Sequence, residues 1–119
     1  MNEYFTFEEF DSPDELGSGQ KYMSTFFLSK LTEARIMANV PFKITSGYRT
    51  PKHNKKVGGV ANSSHLKGVA CDIAVSDSQM RSKILTSLIR AGFNRIGIAK
   101  NFIHVDISKD KNPNVIWLY

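Results

Sequence analysis

Three side chains of the types that hold a metal ion stand in an order compatible with one cleft: His65, Asp72 seven residues on, and His104 thirty-two residues after that. Two imidazoles and a carboxylate leave the fourth corner of a tetrahedron open for water. Catalytic zinc adopts that open arrangement, whereas structural zinc closes its shell with four protein ligands. A cation held this way polarises a carbonyl and brings the pKa of a bound water toward neutrality, so the chemistry on offer is hydrolysis. On spacing alone, each of the three also reads as an ordinary surface side chain.

Strand geometry is what positions them. Successive side chains of an extended chain point to opposite faces. Over residues 70–75 this puts Cys71, Ile73 and Val75 on one face and Ala70, Asp72 and Ala74 on the other. The apolar triplet belongs to the core, which makes Cys71 a poor ligand and turns Asp72 outward between two small alanines. Over residues 102–107, Ile103, Val105 and Ile107 form the core face, while Phe102, His104 and Asp106 share the opposite one. If these strands are neighbours, Asp72 and His104 project into one cleft, and His65 reaches it from the preceding loop.

The remaining elements follow from spacing and punctuation. Thr6-Phe7-Glu8-Glu9 is a capping box for a short first helix or turn, ended by Asp11-Ser12-Pro13-Asp14, and a loop with Gly17 and Gly19 follows. Met23, Phe26, Phe27, Leu31, Ala34, Met37 and Ala38 recur at helical spacing and predict one buried stripe, stopped near residue 39 by Asn39 and Pro41. Phe42 to Thr45 predicts a short strand, with Ser46 to Pro51 as its exit. Residues 52–64, with Gly58-Gly59 and Asn62-Ser63-Ser64, predict an ordered loop. Ser76 with Gln79 predicts a capping box for a helix carrying Met80, Ile84, Leu85, Leu88 and Ile89 and closed by Gly92. Residues 95–99 and 102–107 predict two strands joined tightly at Lys100-Asn101, and 116–119 a last edge strand. Helices first, then strands around one helix, predict an α+β fold: a single domain over residues 1–119. Its small, mostly antiparallel sheet carries helices on one side and the zinc cleft on the other.

A chain of 119 residues can bury one modest core, and 41% hydrophobic with 11% aromatic residues excludes a disordered chain. The single cysteine, Cys71, rules out an intramolecular disulfide and fits folding in a reducing cytoplasm. Met1 to Phe10 has early acids and no unbroken apolar run, unlike a secretory signal peptide, and no stretch nears the roughly 18 apolar residues of a membrane span. No membrane insertion is expected, and synthesis in the cytoplasm is. The net charge is +5, and no acid occurs between Glu33 and Asp72 while Lys43, Arg49, Lys52, Lys55, Lys56 and Lys67 all fall there. Such a segment is either a solvated surface or a contact for a polyanion. An anionic cell wall suits it better than nucleic acid, because interleaved exposed aromatics and nucleic-acid motifs are both absent.

The local wording adds more. Ser63-Ser64-His65-Leu66-Lys67-Gly68-Val69-Ala70-Cys71-Asp72 fits S-x-H-x-x-G-x-A-x-D. Upstream stand Ser46-Gly47-Tyr48-Arg49-Thr50-Pro51, then Asn54 and Val57-Gly58-Gly59; downstream stands Phe102-Ile103-His104-Val105-Asp106. Together these resemble the zinc D-Ala-D-Ala carboxypeptidases and their bacteriophage peptidoglycan-peptidase relatives, in the wider group of lysostaphin-type enzymes and the hedgehog signalling domain. The resemblance spans roughly residues 5 to 107. It implies one Zn²⁺ on His65, Asp72 and His104, and a substrate contact near the scissile bond for Arg49. Ser63 and Tyr48 fall among residues that bind substrate or support the ligands, and Ser63 is equally read as shaping the turn. Asp106 is assigned to orienting a ligand imidazole, anchoring Arg49, or proton transfer.

The resemblance also has gaps. Many relatives carry an acid three residues before the last ligand, where this chain has Asn101, and others carry a histidine where it has Phe102. The base is therefore unassigned, with Asp106 the first candidate and His53 the second. The implied activity is zinc-dependent hydrolysis of a peptide bond in peptidoglycan stem peptides, by a carboxypeptidase or an endolysin-like endopeptidase. The alternative is a catalytically weakened, zinc-containing wall-binding module. Either is expected to act on the cell wall as a monomer, after phage-type release or as part of a virion.

Overall fold

The computed structural model describes residues 1–119. Its elements, in chain order, are a 3-10 turn at Phe7–Phe10, helices α1 (Ser18–Tyr22) and α2 (Thr25–Ala38), strand β1 (Ile44–Ser46), helix α3 (Pro51–Lys56), a second 3-10 turn at Ser64–Lys67, strand β2 (Ala70–Ala74), helix α4 (Ser78–Arg90), and strands β3 (Arg95–Ile98), β4 (Phe102–Asp106) and β5 (Val115–Leu118). The strands form one sheet in the order β1-β2-β4-β3-β5. All pairings are antiparallel except β3 with β5. The α+β, mostly antiparallel fold expected from the sequence is therefore present.

One cluster of 18 buried apolar residues holds it together. Cys71, Ile73, Ile96, Ile103 and Val105 contribute one sheet face to that cluster, the face strand alternation assigns to the core. Phe27 and Leu31 of α2 and Ile84 and Leu88 of α4 complete it. Each large apolar side chain so buried is worth about 1.5–3 kcal/mol against leaving it in water. No helix is long and apolar enough to cross a membrane.

Four local expectations need correction, the first being the loop with Gly17 and Gly19, where Gly17 caps helix α1 and Gly19 lies inside it. Phe26 and Met37 are 66% and 47% exposed. Adjacent helical residues point about 100° apart, so Phe26 cannot share the inward face that Phe27, Leu31 and Ala34 occupy. The cap of α4 is Asp77, whose carboxylate accepts from Met80 N at 2.7 Å, and not Ser76. Residues 52–64 are not all loop, because Thr50 caps α3 by accepting from His53 N at 3.1 Å and Pro51 takes its first position. A threonine followed by proline is a helix start as readily as a strand exit.

The turn bearing His65 is closed from both sides. The Ser63 hydroxyl accepts from His65 N at 3.3 Å, and Gly68 ends the turn in the left-handed region at φ 68°. Tyr22 packs too close to Gly68 for any side chain there. The register then places Asp72 directly opposite His104, and Gly97 beside His104 on the far strand.

Candidate metal centre

His65, Asp72 and His104 are all buried, and one donor atom from each lies within 4.8 Å of the other two. They form the one group in the molecule with this property. Asp72 Oδ1 lies 3.4 Å from His65 Nε2 and 2.9 Å from His104 Nδ1. The three residues singled out by spacing are thus brought together by β2, β4 and the turn before β2.

Each imidazole is oriented from behind. His65 Nδ1 lies 2.7 Å from the Gly47 carbonyl, which can only accept, so Nδ1 carries the proton and Nε2 presents its lone pair to the centre. His104 Nε2 donates to Asp106 Oδ2 at 2.7 Å, leaving Nδ1 to face Asp72. Outer partners of this kind fix the tautomer and raise ligand basicity. Two nitrogens and one oxygen with lone pairs converging on one point are the donor set that suits a divalent cation.

The electrostatics agree. Burial opposes ionisation of Asp72, but the hydrogen bond with His104 outweighs it and holds the carboxyl well below its usual range. Burial likewise opposes charging His104, while Asp106 and Asp72 more than offset it and raise its pKa. Asp106 is also buried, yet His104, the Ser108 N–H and Arg95 together lower its pKa to about 2. His104 Nδ1 and Asp72 Oδ1 are joined by a hydrogen bond of 2.9 Å, so the two candidate ligands hold each other in place.

Arg49 reaches the same place. Its Nη2 is 3.7 Å from Asp72 Oδ2, with Nε donating to Ser46 Oγ at 3.1 Å and Nη1 to Asn54 Oδ1 at 3.2 Å. Asn54, a motif residue with no assigned task, is therefore what aims the guanidinium. It is held in turn by the Val60 carbonyl at 2.9 Å.

Asp106 does not anchor Arg49. Its carboxylate is engaged by His104, by Arg95 Nε at 2.7 Å and by Ser108 N at 3.1 Å, and it is 1% exposed. That geometry matches the first expectation, orientation of a ligand imidazole. Ser63 lines the cleft and caps the turn. Tyr48 is a core residue stacked on Tyr22 at 4.6 Å, and it does not line the cleft. His53 and Asn101 do not line it either.

The cleft over the centre has a volume of about 420 Å³. Sequence reasoning missed Arg95, Lys111, Trp117 and Tyr119 on its walls. Alternation along β3 from Gly97 points to Arg95, but Trp117 needed the parallel register of β5 to be found. A larger groove, about 760 Å³, runs past Phe26, Val69 and Ile107 and contains no such ligand group.

The family model described as Peptidase M15 matches residues 4–106. No curated protein matches the chain. The match covers most of the sequence, so the chain belongs to the M15 peptidase family, as its motifs led one to expect.

Proposed function

We propose that this M15-family chain is a zinc metallopeptidase that hydrolyses a peptide bond in peptidoglycan stem peptides. The observation that carries the reading is the convergence of His65 Nε2, Asp72 Oδ1 and His104 Nδ1, with both imidazoles oriented by fixed partners. These three residues would hold one Zn²⁺, which when bound supplies a Lewis acid and acidifies a water.

The other residues take the following parts. Arg49, pinned by Ser46 and Asn54, presents a permanent bidentate cation to the substrate carbonyl oxygen as negative charge develops there. Asp106 keeps His104 in one tautomer and one orientation. No carboxylate stands where many relatives place the catalytic acid; the residue there is Asn101, whose amide cannot accept a proton near neutral pH. Loss of a positioned base typically costs about 10²–10⁴-fold, so slow turnover is expected. The basic run from Lys43 to Lys67 favours an anionic wall as the setting, reached after phage-type release or from a virion.

The test is incubation of the zinc-loaded protein with purified peptidoglycan. New amino termini should appear, and His65→Ala should abolish them. If both proteins release equal amounts, the peptidase reading fails. Asn101 favours a second reading, a zinc-bearing wall-binding module without turnover. Co-sedimentation with walls that is insensitive to chelator, with no cleavage, is its signature.

A further inference from the structure

Residues 107–119 lie beyond the segment matched by the family model, and the reading above gives them no task. They are nonetheless built into the cleft. Trp117 sits opposite Gly97 in the parallel β3–β5 pairing, and a Cβ on Gly97 would lie 2.5 Å from Trp117 Nε1. The bare glycine therefore lets the indole lie across the sheet beside the ligand strand. The indole centroid is 5.5 Å from that of His104, and the Arg95 guanidinium stands 5.2 Å from the same ring. Arg95 also donates to the Asn112 carbonyl and to Asp106, so one buried arginine ties this segment to the residue that orients His104.

The wall continues outward. Tyr119 tilts against Phe102 at 5.1 Å and lies 6.4 Å from Trp117. All three rings line the cleft, yet Tyr119 is 66% exposed. Three rings gathered beside a metal centre, one of them largely in water, make a surface that an apolar group would bury. The cleft volume of about 420 Å³ suits a short peptide segment better than a polymer strand.

We propose that Phe102, Trp117 and Tyr119 form a substrate subsite that packs against an apolar group of the bound peptide beside the metal centre. This rests on the peptidase reading for the identity of the peptide. Trp117 and Tyr119 thus set specificity from a strand outside the matched family segment.

Trp117 is the single tryptophan, so its fluorescence reports on this wall alone. The experiment titrates a purified disaccharide-pentapeptide into the zinc-loaded chain and follows fluorescence, calorimetric binding and cleavage. The wild type should show a saturable fluorescence change. Trp117→Ala should weaken binding and raise KM about tenfold or more, with kcat within about twofold and zinc stoichiometry intact. Trp117→Phe should restore most of the loss, and Tyr119→Ala, at an exposed site, should weaken binding about threefold. If Trp117→Ala does not fold, Tyr119→Ala decides. Unchanged binding in the folded variants, or loss of zinc in place of loss of affinity, overturns the subsite. A wild type that binds without cutting overturns the peptidase reading but not the wall; one that does neither overturns both.

Discussion

The two faces of β2 and β4 are made by alternate residues of the same ten positions, and they obey different physics. One face, with Cys71, Ile73, Ile103 and Val105, is packed against α2 and α4 and held by non-directional burial. The other, with Asp72, His104 and Asp106, is buried too, but every polar atom there has a named partner. On the first face volume decides, and a lost methylene is a loss of stability. On the second, partners and protonation decide, and a change that keeps volume can still remove function.

That contrast can be broken or sharpened in order of effect. Ile103→Ala, at 0% exposure on the core face, should cost about 2–5 kcal/mol in denaturant unfolding while the folded protein still binds zinc. A variant that folds normally but loses metal would dissolve the distinction. Asp106→Asn keeps shape on the other face and should lower zinc affinity about 10–100-fold, measured by chelator competition. The cap of α4, on neither face, gives a smaller effect: Asp77→Ala should cost about 0.5–2 kcal/mol and leave zinc affinity unchanged.

Proton linkage separates the faces further. In metal-free protein the raised pKa of His104 contributes stability that is present below its unfolded value near 6.5 and is lost as pH rises through the folded value. Asp106, lowered to about 2, contributes stability present above its unfolded value near 4 and lost as pH falls through about 2. Metal-free protein should therefore melt highest between about pH 4 and 6.5. Zinc competes with the proton on His104, so its stabilising effect should grow as pH rises. Thermal melts with and without zinc across this range test both signs, and a metal-free optimum above pH 7 contradicts them.

The faces also differ in how far they could be read from sequence. Period-two alternation in 70–75 and 102–107 separates the candidate ligands from the core without any knowledge of pairing, because each strand carries its own pattern. The motif around His65 supplied the turn. What escaped depended on non-local geometry. Arg95 earns its partner Asp106 only once β3 and β4 pair, and Trp117 meets His104 only because β5 crosses to lie parallel to β3. Tyr48 sat inside a site motif, yet its ring stacks on Tyr22 from a distant helix and joins the core. The start of α3 was missed because Thr50-Pro51 is locally ambiguous, and Ser76 lost to Asp77 because adjacent capping residues compete for one N–H.

Muropeptide mass spectrometry tests the central claim most directly, comparing peptidoglycan treated with the zinc-loaded protein, with and without chelator. Peptide-bond cleavage products should appear with zinc and vanish on chelation. Identical profiles in the two samples, from protein shown to carry one zinc per chain, would contradict the account.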